Sequence, residues 1–424
     1  MTNWRQWGQR TGAFLRRLLV RMRRAVAGDD RRTPPAEGEA TPVVRDTGPL
    51  PAADAALPAH APIATPAAAA APSTPAPDAT PVTADAVPPE TGVAESAAKP
   101  APAGTWHNDS ITALTGSIDL APWVLPVRTY RIYEPVALAE APCVLLMLHG
   151  CRQTADDIAE GTRLNEHADE RGWLVVYPEQ ALAANKYGCW NWFDPANARG
   201  QGECALVIAM LDAVRARYGL ERVPVFLAGM SAGGALASLL ALHFPERWAA
   251  VAIHSGLPFG AATDIWGAKR AMREGARNLL AARALRLAAP DAPPVPALIL
   301  HGDEDDVVHR SNANLLVRQF LGWNGYFTEA EEWEGAAILS VEDRPVRTRY
   351  GHPYILRDYQ MPGRAPVREC EVVGMGHAWS GGDAALPYHD ELGPDASALM
   401  VEFFAGVGTE AGGAGTPPRT GSPV

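Results

Sequence analysis

Residues 225–237 read VFLAGMSAGGALA, and the order of residue types there constrains the fold more than any other part of the chain. Residues 225–228 are apolar and β-prone, while Ala232 begins a run of helix formers rich in Ala and Leu. Between them, Gly229-Met230-Ser231-Ala232-Gly233 places a serine between two residues without side chains. Strand, glycine-flanked serine and helix in direct succession match a nucleophile elbow, where small neighbours permit a turn so tight that the hydroxyl projects above the sheet. The following helix would aim its free N–H groups and the positive end of its dipole at that hydroxyl. The five-residue pattern alone also fits an ordinary glycine-rich turn; the strand before it and the helix after it favour the elbow.

A serine hydroxyl is a poor nucleophile at neutral pH, so it needs a histidine to take its proton and an acid to orient that histidine. In this topology the acid and then the histidine follow the serine in sequence. The apolar run 297–300 ends in HGDEDDVV, residues 301–308, and the H-G-x-x-D-x-x-V spacing selects Asp305. Asp303, Glu304 and Asp306 are expected to be solvated or to cap the next helix. His377 stands in GMGHAW, residues 374–379, directly after a β-rich run, where the last member belongs. His309 is too near Asp305 in sequence, and His352 and His389 lack a preceding strand end. The oxyanion that forms on a carbonyl needs preset backbone donors. The N–H of Ala232 is one candidate, and that of Cys151, in the loop HGCRQ after the strand over 144–148, is the other. His149 is expected to brace this loop. No metal or cofactor is needed by this chemistry.

Working outward, short β-rich runs at 129–133, 144–148, 174–177, 225–228, 249–253, 297–300 and 369–373 alternate with helical patterns at 155–171, 203–218, 232–243, 312–321 and 395–404. Strands apolar on both faces and separated by helices imply a mostly parallel sheet covered on both sides. The expected fold is α/β: an α/β-hydrolase three-layer sandwich over residues 105–406. Residues 263–287 look helical and follow a strand end, where insertions cover the mouth of a site. Residues 322–366 read only as loop and short strands.

The rest of the chain differs in kind. Residues 28–104 are dominated by Ala, Pro, Thr and Asp, with no aromatic residue between Phe14 and Trp106. Such a composition buries too little apolar surface to fold, so a disordered, partly stiff linker is expected. Residues 407–424 read as a disordered tail. Residues 1–27 read as a basic amphipathic helix: Arg5, Arg10, Arg16, Arg17, Arg21, Arg23 and Arg24 occur without an acid, with Trp4, Trp7, Phe14, Leu18 and Met22 on another face. Through residues 1–24 such a helix could dock on an anionic membrane or a polymer granule. The longest aliphatic run there, 18–20, is too short for a secretory signal. A formal net charge of −11 argues against a nucleic-acid partner. Five cysteines do not make a disulfide scaffold. Cys151 and Cys189, however, both fall in loops at the active-site face, where a bridge would tie the loops together; two free thiols are the alternative.

LHGCRQTADD, YPEQ, CWNWFDP, GMSAGGALA, HGDEDDVVH and GMGHAWSGG, in this order, resemble the polyhydroxybutyrate depolymerase-like esterases, α/β-hydrolases related to feruloyl and acetylxylan esterases. The resemblance covers about residues 125–405. It implies a carboxylesterase without metal or cofactor, acting on a polyester or small ester and typically extracellular, and it assigns nucleophile, acid and base to Ser231, Asp305 and His377. It also implies that Trp190, Asn191, Trp192 and Trp379 lie near the substrate, although the tryptophans would suit core packing equally well. The N-terminus, by contrast, suggests a cytoplasmic granule or membrane surface. A non-catalytic surface-binding protein, with residues 1–24 as its binding element, is the reading from another functional class.

Overall fold

The computed structural model describes residues 102–112, 127–327, 341–348 and 351–413. The N-terminal helix expected over 1–27, the linker through residue 101 and the tail beyond 413 lie outside the described residues.

A 10-stranded sheet is the centre of the fold, in the order β1-β2-β4-β3-β5-β6-β7-β10-β9-β8. Its strands are β1 (Thr105–Thr112), β2 (Val127–Glu134), β3 (Val144–Leu148), β4 (Leu174–Pro178), β5 (Val225–Met230), β6 (Ala250–His254), β7 (Ala297–Gly302), β8 (Arg344–Val346), β9 (Tyr354–Tyr359) and β10 (Val367–Val372). From β4 to β10 neighbouring strands run parallel, and antiparallel pairs close both edges. β3, β5, β6 and β7 are buried along their whole length. Alternate side chains therefore enter two cores, Leu146, Leu227, Ile253 and Ile299 on one face and Leu145, Phe226, Ala252 and Leu298 on the other.

The first core is closed by α3 (Glu203–Tyr218), α4 (Ala232–His243) and α7 (Ser311–Trp323), the second by α1 (Ala155–Gly161), α2 (Leu164–Arg171) and α8 (Ala396–Gly413). The single helix expected over 155–171 is two helices, because Thr162 turns its hydroxyl back to the Ile158 carbonyl at 2.6 Å and Arg163 adopts φ 53°. The insertion after β6 forms α5 (Ile265–Glu274) and α6 (Leu280–Ala288). α8 continues to Gly413, beyond the 404 end expected for it. β1 and the short parallel pair β11 (Trp379–Ser380) and β12 (His389–Asp390) were not anticipated from the sequence pattern.

Candidate active site

Six strands of one direction, β3, β4, β5, β6, β7 and β10, end on the same edge of the sheet, and the loops leaving them carry the candidate residues. At the end of β5, Ser231 adopts φ 55° and ψ −118°, a region that L-residues occupy only when the surroundings enforce it. Its N–H donates to the His254 carbonyl and its carbonyl accepts from Ala235, each at 2.9 Å. The flanking glycines permit the turn by close approach: a methyl on Gly229 would lie 2.5 Å from the Gly233 carbonyl carbon, and one on Gly233 would lie 2.3 Å from the Leu148 carbonyl oxygen.

The structure brings Ser231, Asp305 and His377 into one hydrogen-bonded chain. His377 Nε2 lies 3.0 Å from Ser231 Oγ, and His377 Nδ1 lies 2.7 Å from Asp305 Oδ2. An ionised carboxylate only accepts, so Nδ1 carries the hydrogen and Nε2 is left to accept the serine proton. Asp305 Oδ1 accepts from the N–H groups of Val307 and Val308 at 2.9 and 2.7 Å. Burial alone would raise the Asp305 pKa, but hydrogen bonds from His301 and His377 outweigh it and hold the carboxyl well below the usual carboxylate range. The loops bearing acid and histidine are stitched together: Glu304 N–H donates to the Met375 carbonyl at 3.1 Å, and Gly374 N–H donates to Asp303 Oδ1 at 2.6 Å. Asp303 therefore ties down the histidine loop rather than capping the following helix.

The loop after β3 packs against the elbow, with a methyl on Gly150 coming 3.4 Å from Ser231 Cβ. His149 Nε2 accepts from the Gln180 N–H at 3.1 Å, so its Nδ1 carries hydrogen and donates to the Gly150 carbonyl at 2.7 Å. Gly150 N–H is taken by Gln153 Oε1 at 2.8 Å. Among the described residues, the N–H groups of Cys151 and Ala232 have no protein acceptor, which leaves both for an incoming oxyanion.

Cys151 is bonded to Cys189 in a disulfide with Cα atoms 4.2 Å apart, joining the loop after β3 to the loop after β4. Beside it, Arg152 N–H donates to the Tyr187 carbonyl at 2.8 Å. Reduction with dithiothreitol, or Cys189→Ser, is expected to lower kcat on a soluble ester about tenfold and stability by about 2–4 kcal/mol. Kinetics and melting with and without reductant check this; unchanged kcat would mean that the remaining hydrogen bonds alone hold the loop.

The residues expected near the substrate need correction. Trp190 and Trp379 are each only 1 % exposed, with Trp190 against the His149 ring and Trp379 stacked on His254. They back the site instead of lining its mouth. Asn191 is committed to internal partners: its Nδ2 donates to Glu203 at 2.8 Å and its Oδ1 accepts from Asn185 at 2.9 Å. Trp192 is also buried, edge-on to Phe193.

The sequence reading missed three groups. Glu203, at the start of α3, is buried and accepts from Gln180 Nε2, Asn191 N–H and Asn197 Nδ2 at 2.5, 2.7 and 3.2 Å. Burial raises its pKa against these donors and the charge of buried Arg128. This network anchors the loop that carries Cys189. The signal was the excess of Gln and Asn through 180–197 in a loop with no other use for amides. His254 supplies the carbonyl that holds Ser231 and accepts the Ser380 N–H through Nε2 at 3.3 Å. His301 is the third, with Nε2 3.3 Å from Asp305 Oδ2.

Burial lowers the pKa of His149 and His243 to about 4 and that of His254, which also feels His301 and His377, to about 3. All three are neutral in the fold, whereas in the unfolded chain each takes a proton near pH 6.5. Stability is therefore fully present above about pH 6.5 and falls as pH drops toward 4, by on the order of 3 kcal/mol per histidine. Melting temperature between pH 7.5 and 4.5 checks this, and a flat profile would contradict it.

A mostly parallel sheet with an elbow serine, a strand-end acid and a late loop histidine in this order defines the α/β-hydrolase class. The acetyl xylan esterase from Aspergillus awamori shares the fold, at a TM-score of 0.52 with 17% identity, over 70% of this chain and 99% of that one. Residues 128–337 match the family described as Esterase PHB depolymerase, and this part of the chain belongs to that family. It is similar to poly(3-hydroxyalkanoate) depolymerase C of Paucimonas lemoignei, 32% identical over 245 residues, which are 56% of this chain and 55% of that protein. It is also similar to feruloyl esterase B of Neurospora crassa, 35% identical over 133 residues, 31% of this chain and 44% of that protein. The chain thus spans about half the length of these relatives.

Proposed function

We propose that this chain is a serine carboxylesterase that hydrolyses short-chain polyhydroxyalkanoate polymers or oligomers through an acyl-enzyme. The observation that carries the reading is the 3.0 Å approach of His377 Nε2 to Ser231 Oγ with Asp305 fixed behind it. Ser231 Oγ attacks the ester carbonyl while His377 Nε2 takes its proton, and the N–H groups of Cys151 and Ala232 receive the oxyanion. His377 then gives the proton to the leaving alcohol. Water, activated by the same histidine, releases the acid. Because only neutral His377 can accept the serine proton, acid extinguishes turnover.

A polyester substrate is favoured by the longer stretch of likeness to the hydroxyalkanoate depolymerase, 245 residues against 133 for the feruloyl esterase. Feruloyl or acetylxylan ester hydrolysis, with the same chemistry, is the second reading. Hydrolysis of 3-hydroxybutyrate oligomers is expected to exceed that of methyl ferulate, and the reverse ranking would select the second reading.

The basic amphipathic segment 1–24 suits docking on a granule or an anionic membrane, with the Pro/Ala-rich linker letting the docked domain sample a wide area. Deleting residues 1–104 leaves β1 whole from Thr105, removes only the hydrogen bonds of Ala103 N–H to Asp169 and of Gly104 N–H to Tyr133 from the described domain, and is expected to leave soluble-ester hydrolysis within about twofold while reducing sedimentation with polyhydroxybutyrate granules or anionic vesicles. Loss of soluble-ester activity, or undiminished sedimentation, would contradict this role.

A further inference from the structure

Asp305 is approached by two imidazoles. Its Oδ2 lies 2.7 Å from His377 Nδ1 and 3.3 Å from His301 Nε2, and the side chains of His301 and Asp305 are 4% and 0% exposed. His301 Nε2 is also 2.8 Å from the Val308 carbonyl. A carbonyl only accepts, so Nε2 carries the hydrogen and shares it between Val308 O and Asp305 Oδ2. Val308 N–H in turn donates to Asp305 Oδ1 at 2.7 Å. Both carboxylate oxygens are thereby fixed from the β7 side, independently of His377.

We propose that His301 is a positioning residue: its Nε2–H shares Asp305 Oδ2 with His377 and sets how strongly that carboxylate holds the imidazolium formed during turnover. The proposal rests on the reading of Ser231, His377 and Asp305 as the catalytic triad. A carboxylate that receives another donor in a water-poor site is less basic and draws less on a neighbouring imidazolium. His377 therefore gives up its proton more readily to the leaving alcohol, while the orientation of Asp305 is kept. A simple packing role would not require the polar edge of the ring to face the acid.

The surroundings leave this edge as the point of control. His301 Nδ1 is buried and has no protein partner among the described residues. The ring lines a cavity of about 500 Å³ that also meets Arg310, Arg357, Glu369 and Glu371, with Arg357 paired to both glutamates. Titratable groups near the triad among the described residues include His254, from the end of β6, whose electrostatics also involve His389, and Tyr388, edge-on to His377 at 6.4 Å between ring centroids. Asp303, on the same loop as Asp305, is held by Gly374 N–H.

The test compares His301→Asn with His301→Gln on a soluble p-nitrophenyl ester. The Gln amide reaches the position of Nε2, and the Asn amide stops short of it. His301→Asn is expected to reduce kcat about fivefold to tenfold with KM unchanged, and to move the acid limb of the kcat/KM profile up by about half a unit to one unit. His301→Gln is expected to keep the limb and most of the rate. An unmoved limb in His301→Asn, or the same kcat loss in both variants, overturns the proposal. Should His301→Asn not fold, low-field proton NMR of the unmodified protein decides. Phosphonylation of Ser231 should shift both the His377 Nδ1–H and the His301 Nε2–H signals, and movement of the first alone overturns the proposal. Ser231→Ala measured in parallel separates the two levels, since full activity there would remove the triad itself.

Discussion

Ser231→Ala is expected to lower kcat/KM on a short p-nitrophenyl ester by about 10⁴-fold to 10⁶-fold while shifting stability by no more than about 1 kcal/mol. In the proposed mechanism the hydroxyl is the attacking atom, and it lies 3.0 Å from His377 Nε2, the group that would take its proton. Structurally the change is small. Ser231 is 6% exposed, and its backbone is held by the His254 carbonyl and the Ala235 N–H through atoms that alanine retains. Asp305→Asn should cost about 10⁴-fold, because an amide facing Nδ1 favours the tautomer in which Nε2 carries the hydrogen and can no longer accept. Asp303→Asn keeps an oxygen for the Gly374 N–H and should stay within about threefold. Steady-state kinetics with a melting curve for each variant check the series. Equal losses at the two aspartates would overturn the assignment of the acid.

What the sequence disclosed follows from how local each signal is. The elbow is a contiguous run whose glycines answer to contacts within β5 and α4 and to the end of β3, so residue type and order were enough to read it. The acid follows the apolar strand β7 and the histidine follows β10, whose alternating VRECEV still reads as β-rich, so both strand ends are legible from residue type. By contrast, β1 reads TWHNDSIT, a polar edge strand whose partner register with β2 is set by tertiary pairing and leaves no alternating apolar pattern. The Glu203 network was invisible for another reason: an acid opening a helix normally sits in water at the positive end of the dipole, and only the fold of residues 180–202 over it makes it buried. The tryptophans misled because a large ring in a motif-bearing loop suits a cleft and a core alike. The close packing of Trp190 on His149 and Trp379 on His254 decides for the core. His301 was read as part of a motif that marks Asp305, whereas its contact with that residue depends on how the loop folds back.

Gly233→Ala is expected to be nearly as damaging to turnover as loss of a catalytic side chain, with kcat falling by about 10²-fold to 10⁴-fold and stability by about 3 kcal/mol. A methyl there would sit 2.3 Å from the Leu148 carbonyl oxygen, 2.6 Å from that of His149 and 2.7 Å from the Leu148 carbonyl carbon. All three are backbone atoms, and Leu148 is paired with Gly229 of β5, so no side-chain rotation relieves the contact. Either the start of α4 or the end of β3 must move. The first carries the Ala232 N–H and the second leads into Cys151, so either displacement misplaces a candidate oxyanion donor. Gly376→Ala is the matched control: it adjoins His377 in sequence, but a methyl there meets nothing within 4 Å. Its rate should remain within about threefold and its stability within about 0.5 kcal/mol. Kinetics and thermal melts of the two variants distinguish contact from nearness. A fully active Gly233→Ala would mean that the oxyanion is held elsewhere, and a crippled Gly376→Ala would mean that freedom of the histidine loop, rather than the packing of the elbow, limits turnover.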